Sequence, residues 1–214
     1  MSRILYLAAA IGLALFAGCE LPVSVHPLSD EATSTFDERL IGTWEMVPPA
    51  EQTPGPNDAP ARFIYGRMAG KPNILECVTT ELDGEGYAQV HRIPLYPCQL
   101  GKLHYLSAIM NPEEPKEKQV YLIMLYEMTG ENELRYYLMN KDVIGPAIER
   151  EEIQGIVKKS DPDPNAPPQE QVKPRYREVR LTAETKDLVA FLQRRGQAAF
   201  HTVEFMKFQR VAPK

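Results

Sequence analysis

Short runs in which apolar side chains alternate with polar ones, separated by Gly, Pro, Asn or Asp, fill most of the chain beyond Leu40. A period of two is that of a strand with one face buried. It predicts strands over residues 41–47, 62–68, 74–82, 87–93, 102–110, 120–128, 133–140, 175–181 and 202–211. The clearest hairpin joins 120–128 to 133–140 through Thr129-Gly130-Glu131-Asn132. That loop length sets Met128 opposite Leu134 and Tyr126 opposite Tyr136, so Leu122, Met124, Tyr126, Leu134, Tyr136 and Leu138 share one inward face. Asp83-Gly84-Glu85-Gly86 is a second hairpin turn. The period changes to that of a helix after Thr182, read as an N-cap, where Leu188, Phe191 and Leu192 fall at i, i+3, i+4 before Arg194, Arg195 and Gly196. A shorter helix is expected between Val143 and Ile153. Consecutive antiparallel strands, a late helix and a final strand predict a mostly β domain with two helices, a closed or nearly closed meander barrel.

The first nineteen residues break this pattern. Arg3 precedes an apolar run from Ile4 to Ala17, which is too short for the roughly 20 residues of a membrane-spanning helix. The run ends Leu15-Phe16-Ala17-Gly18-Cys19. This stretch resembles the lipobox of bacterial lipoproteins, with Phe16 where Leu is commoner. The resemblance implies removal of residues 1–18, acylation of Cys19 and a membrane partner held through acyl chains. Two chains suffice for stable anchoring, since each buried methylene contributes about 0.8 kcal/mol. Glu20 in place of an Asp after the cysteine favours, by the same resemblance, the outer membrane of the cell envelope. Residues 19–38 hold five acids, no Lys or Arg and two prolines, and read as an acidic, solvated tether before a single domain over 39–214. Proline-rich stretches at 48–60 and 161–174 read as surface loops.

The first predicted strand opens Gly42-Thr43-Trp44, and Trp44 is the only tryptophan. A Gly-x-Trp on the first strand of such a barrel, with a helix before the last strand, resembles the lipocalin-like fold. There the Trp plugs one end of the barrel beneath a basic residue of the last strand. Arg210 is the matching residue here, with Lys207 the second choice, and a guanidinium over an indole is a favourable cation–π pair.

Composition narrows the rest. With 24 basic and 29 acidic residues the formal charge is -5, which suits neither nucleic acid nor any other polyanion. Gly66-Arg67-Met68-Ala69-Gly70-Lys71 is one residue short of a phosphate loop and is followed by Pro72. Gly84-Glu85-Gly86 lies between strands, where a dinucleotide site does not form. The four histidines are far apart in sequence, and only His91 and His104 could meet on adjacent strands; no metal, cofactor or catalytic set is expected. Cys77 and Cys98 could form a disulfide in an exported protein. The hairpin register, however, places Cys77 near Arg92, so two buried free thiols are expected.

The sequence therefore points to a lipid-anchored envelope protein without catalytic residues, in one of two forms. One is a structural or interaction module, working with a protein partner, whose barrel is filled by its own side chains. The other is a carrier of a small apolar ligand. Met124, Tyr126, Tyr136 and Leu138 are the residues facing core or ligand, and their bulk favours the filled barrel.

Overall fold

A computed structural model describes residues 21–48, 61–82, 87–159 and 176–212. Among these residues, eleven strands and two α-helices follow one another: β1 (Val23–Ser24), β2 (Gly42–Met46), β3 (Arg62–Met68), β4 (Lys71–Leu82), β5 (Ala88–Leu100), β6 (Leu103–Ile109), β7 (Tyr121–Thr129), β8 (Glu133–Leu138), α1 (Lys141–Glu149), β9 (Gly155–Lys159), β10 (Tyr176–Leu181), α2 (Thr185–Arg195) and β11 (Met206–Arg210). Strands β2 through β8 pair consecutively and antiparallel, and β11 bridges β8 and β2. The result is a closed eight-stranded antiparallel barrel with a helix before its last strand, the architecture the alternation predicts.

The central hairpin has the expected register, Met128 opposite Leu134 and Tyr126 opposite Tyr136. Gly130, at φ 64, provides the left-handed turn residue between them. Strand β5 is the main departure in length. It runs on through Pro94 and Pro97 where the sequence predicts an end at Ile93. The reason is a change of partner: β5 pairs with β4 as far as Leu95 and with β6 from Leu95 onward. Each proline thus has a strand partner on one side only, where a missing N–H is tolerated.

Two cores share the strands β6, β7 and β8. Inside the barrel, Trp44, Leu106, Leu134, Tyr136 and Phe208 are almost wholly buried. Outside, Tyr105, Ile123 and Leu125 meet Ile144, Phe191 and Leu192 of the two helices. This explains why β7, read as a strand with one buried face, is apolar nearly throughout. The late helix buries Leu188, Phe191 and Leu192 as its periodicity predicts. It begins at Thr185, with Glu184 rather than Thr182 at the N-cap and no side-chain cap bond. The shorter helix begins two residues earlier than expected because the Asn140 side chain accepts from the Asp142 N–H at 2.9 Å. Next to it, β9 and β10 form an antiparallel pair, and β10 runs parallel to β1.

The segment before the barrel requires a correction. Residues 21–38, expected as a solvated tether, pack along the barrel wall. Leu28 is buried in the outer core, its N–H donating to Ser107 Oγ at 3.0 Å. Ser24 of β1 pairs with Tyr121, and the Thr35 N–H donates to the Pro97 carbonyl. The acids that suggested solvation act locally: Asp30 Oδ1 accepts from the Ala32 and Thr33 N–H groups, and Asp37 caps the 3-10 turn Glu38–Leu40. Composition alone does not separate a solvating acid from a turn-capping one. Cys19 and residues 1–18, both proline-rich loops (beyond Pro48) and the turn 83–86 lie outside the described residues.

Candidate functional site

The barrel interior and its plugged end hold the residues singled out by the sequence. Trp44 is fully buried, its indole N–H donating to the Leu40 carbonyl at 2.9 Å. Arg210 stands directly across the β2–β11 pair from Trp44, with its guanidinium carbon 4.2 Å from the ring centroid. The same guanidinium donates to three backbone carbonyls: Ile41 at 2.7 Å, Glu131 at 2.8 Å, and Arg39. It thereby ties the β7–β8 turn to the 3-10 turn that closes this end. Gly42 has φ 138, and a Cβ there would lie 2.7 Å from Arg210 Nη1. The Gly-x-Trp pattern thus has a physical reason, since glycine leaves the space the guanidinium occupies. Lys207, the second choice, pairs instead with Glu133 on the outer surface.

Asp37 closes the plug from below. Its carboxylate accepts from the Arg39 guanidinium at 2.7 and 2.9 Å and from the Tyr126 hydroxyl at 3.0 Å. Burial alone would raise the Asp37 pKa, but these hydrogen bonds outweigh it and hold the carboxyl below its ordinary value. A depressed folded-state pKa means stability that is present above the ordinary carboxylate range and lost as pH falls through the folded value. Asp37→Asn should therefore cost about 1 kcal/mol near neutral pH, a modest figure because Arg39 is half exposed. In urea titrations at several pH values the gap to the wild type should shrink as the solution is acidified. A gap that is constant with pH would refute the assignment.

Above the plug, Met124 stands opposite Leu138 and Tyr126 opposite Tyr136, all four facing inward and 7% exposed or less. Tyr136 forms the centre of an aromatic group the sequence did not delineate. Its ring meets Phe208 edge-on at 5.6 Å, Phe208 meets Phe63 at 4.9 Å, and the Tyr136 hydroxyl donates to the Tyr65 hydroxyl at 3.1 Å. Phe63 and Tyr65 were legible in principle, since both alternate with exposed Arg62 and Ile64 along β3.

Cys77 faces this interior, where burial pushes its thiol up to about 12. A protonated, desolvated thiol is the opposite of an activated nucleophile. Cys98 faces the outer core, and both thiols are free and buried. The registers explain why: Cys77 pairs with Ile93, and Cys98 with Tyr105, so they stand on opposite faces of the barrel wall. His91 lies opposite Thr79, and His104 opposite Gln99, so those histidines do not meet across a strand pair. Among the described residues no group of three or more His, Cys, Asp or Glu is gathered that could hold a metal ion. A shallow cleft of about 500 Å³ lies outside the barrel, lined by Ile148, Glu151, Ile153, Gln154, Gly155 and Thr182. Comparisons with protein-family models, with curated proteins and with solved structures returned no match.

Proposed function

We propose that this protein is a cell-envelope lipoprotein, anchored through acyl chains on Cys19, whose barrel is a non-catalytic structural or interaction module filled by its own side chains. The filling of the interior carries this reading. An eight-stranded barrel is just wide enough to be packed by side chains or to admit one small ligand. Here Trp44, Tyr136 and Phe208, each 1% exposed or less, occupy that width together. The anchoring part rests on the charge, apolar run, small residues and cysteine of positions 3–19.

A carrier of a small apolar ligand is the second reading, favoured by Met46, Met110 and Met206, which are only partly buried at the edge of the inner core. Methionine side chains adapt readily to an apolar guest. Titration of a fluorescent apolar probe onto the unacylated chain separates the two. The filled barrel predicts no saturable uptake. Binding near one equivalent, abolished by substitution at Met124 or Tyr136, would establish the carrier instead. Anchoring has its own test: Cys19→Ser should leave an unprocessed precursor or release soluble protein. Unchanged processing and membrane retention would defeat it.

A further inference from the structure

The two ends of the barrel differ. The plugged end carries the short β3–β4, β5–β6 and β7–β8 turns, the 3-10 turn Glu38–Leu40 and the Trp44–Arg210 stack. The opposite end carries the β2–β3, β4–β5, β6–β7 and β8–β11 connections. Large apolar side chains are exposed at this second end: Val47 just after β2 (37%), Val90 near the start of β5 (55%), and Val203 and Phe205 just before β11 (74% and 38%). Val47 lies beside β11, its N–H donating to the Lys207 carbonyl, and so stands near Val203 and Phe205, whereas Val90 lies on β5, three strands from β2.

The amino-terminal segment meets the barrel at this same end. Ser24 pairs with Tyr121, the first residue of β7, and Leu21 packs against the edge of the inner core. Cys19 is two residues before Leu21, a reach of at most about 7 Å along the chain. Because residues 21–38 are laid along the wall and do not hang free, they cannot lift the domain away from an anchor at Cys19. The β6–β7 loop at this end carries both signs of charge, Glu113, Glu114 and Glu117 with Lys116 and Lys118, so its field contributes little attraction or repulsion.

We infer that the end of the barrel bearing Val47, Val90, Val203 and Phe205 is a lipid-docking face, seated on the surface of the membrane that holds Cys19, with the Trp44–Arg210 plug turned away from it. The inference rests on acylation of Cys19. Apolar side chains of this size enter the headgroup boundary to a depth of about 5–10 Å, and a short covalent anchor holds them at the surface continuously.

The test uses the acylated protein in vesicles of phosphatidylethanolamine and phosphatidylglycerol containing a lipid with a nitroxide on its headgroup. A fluorophore is placed at Val203→Cys or, on the plugged end, at Lys102→Cys. Both positions are exposed, and the native Cys77 and Cys98 are buried. The seven residues of β6 separate the two ends by about 15–20 Å along the tilted barrel. The label at position 203 should be quenched severalfold more strongly than that at 102. Equal quenching, or stronger quenching at 102, with protein floating on the vesicles would overturn the orientation alone. So would quenching at 203 relieved by dilution into excess unlabelled protein with no loss of flotation, since a second copy would then be the occupant. Failure of the wild-type protein to float, with an unmodified Cys19 by mass measurement, would overturn the anchoring reading and this one with it.

Discussion

A Trp44→Ala chain unfolds with about 3–5 kcal/mol less free energy than the wild type. The indole is fully buried, its N–H is bonded to Leu40, and its outer ring face is covered by Arg210. Truncation removes a large apolar volume from a wall that cannot collapse, because Gly42 and the strand register fix the backbone on either side. Arg210→Ala costs less, about 1–3 kcal/mol, through loss of the stack and of charge-assisted hydrogen bonds to the carbonyls of Arg39, Ile41 and Glu131, which water partly replaces at this exposed rim. The two losses should not sum in the double variant, since each substitution abolishes the same stacked contact. Urea unfolding followed by far-ultraviolet dichroism measures all four corners of this cycle. Additive losses would mean that the stack contributes nothing.

Phe191→Ala should bring a comparable loss, about 3–5 kcal/mol, from the other side of the wall. Phe191 is fully buried on α2 in the outer core, remote from Trp44. Tyr105 and Leu106, Leu122 and Ile123, and Tyr136 and Tyr137 are neighbouring pairs on β6, β7 and β8 that point into opposite cores. Neither core can therefore open without stripping one face from the three strands they share. Trp44 fluorescence reports the inner core, and helix dichroism reports the outer one. In the Phe191→Ala variant both should move to the same lower denaturant midpoint. If the dichroism shifts while the fluorescence stays, the helical layer is an independent unit and the shared-wall account fails.

What the sequence revealed and what it withheld divide along physical lines. Alternation located every barrel strand, and the hairpin register followed from one loop length, because side-chain period and turn geometry are local properties. The Gly42–Trp44–Arg210 set was legible because the pattern ties a residue type to a position, although the steric need for glycine emerges only when Arg210 is in place. Partners distant in sequence were not legible. Proline counts against β5 continuing past Ile93, yet the strand exchanges neighbours at Leu95 and gives each proline a strand partner on one side only. The two-residue β1 is too short to show a period, and the acids around it read as solvation when Asp30 and Asp37 are turn caps. Tyr65 and Phe208 were visible as apolar strand residues, but nothing in the chain order indicates that they meet at Tyr136.

The position of β11 sets the order in which the molecule can be completed. Seven barrel strands, both helices and the outer hairpin are all made before the eighth strand, whose partners are Trp44 to Met46 near the beginning and Glu133 to Tyr136 in the middle. Until Met206–Arg210 joins the sheet, β2 and β8 each lack one strand partner. Such edges pair readily with other chains, and closure across so long a separation in sequence is slow. A chain that ends before Met206 would expose both edges permanently, together with the aromatic interior that Phe208 completes. The newly made protein thus depends on reaching its last strand before a neighbour's edge reaches it first.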